Sequence, residues 1–203
     1  MNFFPRSRVA FLTIFGTLLT ARVVDAQVRI VKLEPARTQI QFTLKDVLHT
    51  VHGTFQLKSG EIRFDPTTGI ADGAVIVDAT SGNSGSSDRD KKMHKEILES
   101  WRYPEISFLP RKVTGTVSLQ DAAQVQVQGI FRMHGSDHNL TLTIPIQINS
   151  NQLSATTQFE VPYVAWGLKN PSTFILRVSN KVQISIAASG QVVASQTRQL
   201  TTP

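Results

Sequence analysis

The 203 residues contain no cysteine, which excludes structural disulfides and thiolate metal sites and leaves the hydrophobic core to hold the fold. No Walker loop, dinucleotide fingerprint or G-x-S-x-G elbow occurs, so neither a phosphate cradle nor a strained serine nucleophile is indicated. Lysines and arginines do not cluster among aromatics, and nucleic-acid binding is not expected. The formal charge of +6 is spread along the chain, a balance compatible with an anionic partner and equally with plain solubility. No internal repeat is apparent. The one long apolar run, Val9 to Ala21, is too short to span a bilayer comfortably.

That run follows Arg6 and Arg8 and precedes Val24-Asp25-Ala26, small enough for cleavage before Gln27. Residues 1–26 therefore read as a secretory signal peptide, with Arg22 an unusual late charge and an uncleaved anchor as the alternative. Cleavage would remove Arg6, Arg8, Arg22 and Asp25, leaving 177 residues and a formal charge of +4. This length suits one domain with a sizeable core.

The remainder is dominated by period-two runs. Ile40, Phe42 and Leu44 alternate with Gln39, Gln41 and Thr43, and Leu140, Leu142, Ile144, Ile146 and Ile148 alternate with polar neighbours, so each strand has one apolar and one wet face. Further strands are expected at 28–33, 54–58, 61–65, 74–78, 105–109, 113–119, 154–163 and 174–186, the last broken near Asn180. Turn signals lie at Asp65-Pro66-Thr67-Thr68-Gly69, His134-Gly135-Ser136-Asp137 and Gly167-Leu168-Lys169-Asn170-Pro171. The pattern gives an all-β barrel or sandwich without choosing between them. From Gly190 to Pro203 a frayed tail is expected.

One stretch has helical period. After the Gly/Ser-rich residues 81–87, Met93, Ile97, Leu98 and Trp101 recur on one face, with Lys91, Lys92, Lys95, Glu96 and Glu99 opposite, predicting a helix over about 88–100 that must lie on an apolar surface. Ser87 and Asp90 have capping-box spacing. The open mouth of a barrel would supply such a surface.

Five histidines are the first candidates for catalysis or metal binding. His49 and His52 share a loop, and His134 and His138 flank a turn, but no acidic residue is spaced to complete a set with either pair. They read as surface or hydrogen-bonding groups; neither metal nor cofactor is expected. What remains is an apolar interior, and an eight-stranded barrel has room for side chains or one small ligand.

The segment Arg89-Asp90, Met93, Leu98, then Tyr103-Pro104-Glu105-Ile106 and Phe108 resembles the YceI-like family of periplasmic, polyisoprenoid-binding, lipocalin-like proteins. So do residues 33–55 (LEPARTQIQFTLKDVLHTVHGTF), Gly60 to Asp65, Gln128 to Gly135, and residues 159–186, in the same order. Two departures stand out: the family's Asp-x-x-His-Ser is Glu34-Pro35-Ala36-Arg37-Thr38 here, and its later histidine is Asp46. Head-group contacts made by those histidines are not carried over to this chain.

The resemblance implies an antiparallel, lipocalin-like β-barrel over 27–189 with the short helix as a mobile lid over its mouth. It also implies a periplasmic or secreted location, a polyisoprenoid or other long-chain lipid as ligand, and homodimerisation; the basic balance of the chain is compatible with transient membrane contact. On that reading the ligand lies against Phe42, Phe55, Phe64, Val77, Met93, Ile97, Trp101, Phe108, Phe131, Leu142, Phe159, Trp166 and Phe174. His49, His52, Arg89 and His94 are the candidate head-group donors. Each buried CH₂ is worth roughly 0.8 kcal/mol, so a five-carbon isoprene unit supplies about 3–4 kcal/mol before costs. A micromolar complex needs about 8 kcal/mol net, within reach of several units without any charged contact. Two other classes stay open: an enzyme with rim histidines acting on an amphiphile, and a dry β-module for protein contact.

Overall fold

The alternating runs do form strands. The computed structural model describes residues 28–46, 49–115, 122–173 and 177–194; the expected signal peptide and residues 195–203 lie outside them. Nine strands occur in order: β1 (Arg29–Leu33), β2 (Gln39–Lys45), β3 (Thr50–Phe64), β4 (Ala71–Asn83), β5 (Glu105–Thr114), β6 (Ala122–Met133), β7 (Ser136–Asn149), β8 (Gln152–Val161) and β9 (Val182–Ala194). All pairings are antiparallel, and each strand from β3 to β9 pairs with the next.

The ring closes through β1 and β2, which share one place in it. Both lie between β3 and β9: β1 pairs with the end of β3 and the end of β9, β2 with the start of each. A 3-10 turn at Pro35–Arg37 separates them, where proline fixes φ and lacks the N–H a ladder would need. The result is a closed eight-position barrel, the architecture expected.

Several boundaries differ from expectation. The two runs at 54–58 and 61–65 are one strand, β3, with irregular register near Leu57 and Ser59. Gly60 sits where a Cβ would come within 2.7 Å of the Leu33 side chain, so a glycine that reads as a break serves close packing. β5 likewise runs through Pro110, with a register shift between Pro110 and Lys112 that accommodates the missing N–H. The last run is strand only from Val182, and 174–176 are outside the described residues. Gly190–Ala194, expected to begin the frayed tail, instead finish β9 and pair with Leu33–Arg29. Gly190 allows this, because a Cβ there would lie 2.4 Å from the Lys32 carbonyl oxygen.

The helix is shorter and less regular than its period suggests. α1 spans Ser87–Lys92 and continues as a π-helical turn, Met93–Ile97. The N-cap is Ser86, with no side-chain cap bond. Asp90 reaches past Ser87 to Ser84, accepting from its N–H at 2.8 Å and its hydroxyl at 2.5 Å. The Arg89 guanidinium also donates to Ser84, to Oγ at 2.9 Å and the carbonyl at 3.1 Å. The Gly/Ser stretch expected to be a flexible loop is thus the end of β4 joined to a buried, four-times-bonded serine. The π turn rotates residues 98–101 away from the direction that a regular helix would give them, and Glu99 turns the chain with φ +46°.

Candidate functional site

Inside the barrel two cavities lie end to end. The lower, about 180 Å³, is walled by the far halves of the strands, among them Phe64, Phe108, Leu142, Ile148 and Val192. The upper, about 460 Å³, lies under α1 and is walled by residues including Phe42, Phe55, Met93, Ile97 and Leu98. The two share a waist of Val77, Ile106, Phe131, Phe159 and Ile186. The upper cavity alone has the volume of a small-molecule site, roughly 300–1,000 Å³. The interior is therefore not a filled core.

Lining chemistry changes along the axis. Among the described residues, the only polar ones around the lower cavity are Ser107, Thr156 and Thr157. Around the upper cavity stand Asp46, Ser84, Asp88, Arg89, Lys92, Tyr163 and Thr173. The Asp46 side chain is only 9% exposed and accepts from the His49 N–H. Lys92 Nζ donates to the Pro171 carbonyl at 3.3 Å, tying the helix to the loop after β8. Tyr163 donates its hydroxyl to the Ser179 carbonyl at 2.7 Å, and burial pushes its pKa up to about 12.

Ten of the residues singled out from sequence meet this space: Phe42, Phe55, Met93 and Ile97 above, Phe64, Phe108 and Leu142 below, and Val77, Phe131 and Phe159 at the waist. Trp101 does not. It is 74% exposed on the outer surface, because the π turn and the left-handed Glu99 carry it off the helical face its spacing implied. Trp166 lines neither cavity; it backs Phe131 at 5.6 Å and stacks on His138 at 3.9 Å. Phe174 lies outside the described residues.

Among the head-group candidates, Arg89 alone lines the cavity. His49 is exposed in the β2–β3 turn, and His52 on the wet face of β3 meets Thr43 Oγ1 at 3.1 Å. His94 holds the lid in shape, with Nδ1 3.0 Å from Ser100 Oγ and Nε2 2.9 Å from the Gly82 carbonyl. The rim histidines diverge: His134 Nε2 meets Glu99 at 2.7 Å, whereas His138 faces Trp166. Among the described residues no three His, Asp or Glu side chains gather as a metal site would need.

Sequence reasoning missed Tyr163 and Leu168, which are 5% and 4% exposed. Tyr163 read as the end of a strand and Leu168 as part of a turn, yet Tyr163, Val164, Trp166 and Leu168 are too apolar for a solvated connection. That composition was the available signal.

The barrel has solved counterparts. It is similar to Burkholderia cenocepacia BcnA (TM-score 0.63, 15% identity, covering 77% of this chain and 98% of that one). It is also similar to a polyisoprenoid binding domain from Saccharophagus degradans implicated in plant cell wall breakdown (0.62, 12%, 80% and 98%). A third is the Campylobacter jejuni YCEI protein (0.56, 14%, 74% and 88%). At these identities the likeness concerns the fold. No curated protein matches the chain. The family model for the YceI-like domain matches residues 32–189, a span running from the end of β1 into β9 that holds all of the cavity lining but Val31 and Val192, and the chain belongs to the YceI-like domain family.

Proposed function

We propose that this protein binds and carries a polyisoprenoid or similar long-chain lipid in the cell envelope, with the apolar chain along the barrel axis and the polar end at the mouth. The observation that carries the reading is the pair of end-to-end cavities, apolar below and ringed by polar groups above. The polyisoprenoid-binding domain among its structural counterparts supports the ligand class. The export signal read in residues 1–26 supports a periplasmic or secreted location. The role is binding rather than catalysis, in keeping with the family.

Native mass spectrometry of the purified protein, with organic extraction and lipid identification, tests this. One long-chain isoprenoid per protein chain is expected, and the same spectrum reads out whether the protein dimerises. An apo mass unchanged after incubation with isoprenoids would sink the reading. Localisation is checked by fractionating cells and tracking the protein's mass for loss of residues 1–26.

A further inference from the structure

An isoprenoid transferred through water exposes every CH₂ at roughly 0.8 kcal/mol each, so a carrier gains by meeting the bilayer mouth-first. The ends of this barrel differ in the way such a contact needs. The described residues of the connections at the lid end, 46, 49, 84–104, 134–135, 162–173 and 177–181, contain eight Lys and Arg against five Asp and Glu. The described residues of the connections at the other end, 65–70, 115 and 150–151, contain none against one, Asp65.

Three of the five lid-end carboxylates are also occupied: Asp90 by Ser84, Glu99 by His134 and Asp46 by the His49 N–H. Asp88, 3.6 Å from Lys91, and Glu96 are on the outer face of the lid, and Lys181 is paired with Glu160. In the same place stands Trp101, 74% exposed, sharing a shallow surface depression with Lys91, Lys92 and Lys95 and preceding the exposed Arg102. Trp at the headgroup level flanked by cations is how interfacial segments hold an anionic bilayer. Ile70, 67% exposed, lies at the other end beside Lys112, its partner across a β-bridge, and no aromatic accompanies it there.

We propose that the outer face of the lid, with Trp101 as its apolar anchor and Lys91, Lys95 and Arg102 around it, docks the barrel mouth-first on an anionic lipid bilayer. This rests on the carrier reading for its purpose but not for its test.

The test is flotation of the full chain with phosphatidylglycerol vesicles against phosphatidylcholine vesicles. Binding is expected to phosphatidylglycerol and to weaken with salt. Trp101→Ala should weaken it about tenfold and Lys91→Gln or Lys95→Gln about fivefold each, with Ile70→Ala unchanged. Residues 1–26 are common to all variants, so the differences isolate the lid. Quenching of Trp101 by brominated phosphatidylglycerol in a Trp166→Phe background should match the flotation.

Equal binding to both vesicle types, or Trp101→Ala indistinguishable from wild type, would overturn the proposal. Isoprenoid loading is measured separately by native mass, and Trp101→Ala should still load, because Trp101 lies outside the cavity. Vesicle binding through Trp101 without any loading would leave docking standing and remove carriage; loading without vesicle binding would do the reverse.

Discussion

Below the waist at Phe131 and Phe159, the axis of the barrel is lined by apolar side chains on strands paired along both edges, with three hydroxyls as the only polar groups among the described residues there. Above it, two carboxylates, a guanidinium, an ammonium and a phenol line the wall, and part of that wall is a short helix and a loop. Desolvating a charge costs several kcal/mol more than burying a methylene gains. A molecule with one apolar and one polar end therefore has a single favourable direction of entry. The lower half sets how much chain is held; the upper half meets whatever the chain ends in.

The sharpest way to break that division is to close the waist. Ile186→Trp should weaken binding of a long isoprenoid by roughly 100- to 1,000-fold, the worth of one five-carbon unit, while a short one that fits the upper cavity keeps its affinity. Titration of both ligands checks this, and equal losses would mean that the cavities are not used in series. Stability should divide in the same place. Ile148→Ala, at a side chain 1% exposed, is expected to cost about 3 kcal/mol; Leu44→Ala, half-buried at the mouth, about 1 kcal/mol. Urea midpoints of the two variants measure the difference.

Smaller effects belong to the polar rim. Arg89→Gln should weaken a phosphorylated isoprenoid about tenfold and leave an uncharged one within about twofold; the same change for both would show that Arg89 does not face the ligand's end. Tyr163→Phe removes the bond to Ser179 for about 1 kcal/mol at neutral pH. The Tyr163 phenol is held protonated to about pH 12 in the folded state, above its ordinary value of 10.0. Its contribution is thus complete below pH 10 and lost as pH rises through about 12. The wild type should lose stability relative to Tyr163→Phe over that window, as paired urea unfolding series would show.

The lower half was legible in the sequence because strand burial keeps a strict period of two. Once Leu142 points inward, Ile144, Ile146 and Ile148 must do the same, and the pairing of β6 with β7 carries the pattern across. The mouth was less legible because local exceptions decide it. A single π turn moved Trp101 from an expected cavity wall to the outer surface. Asp90, read as part of a capping box, bonds Ser84 instead. Tyr163 and Leu168 are buried in one cluster with distant strands, and the local composition signals the burial without naming the partners.

β9 is the last strand among the described residues, and it seals the ring against both β1 and β2. At that seam Thr38 and Ser189, 151 positions apart, share hydrogen bonds. Until residues 182–194 have been made, β1 and β2 can find only β3, and a strand edge stays open on either side. Closure is then one late, long-range event of the kind that makes β-topologies slow to fold. The order of synthesis thus imposes a schedule: residues 182–194 complete the container, and a nascent chain that stops short of them has no inside.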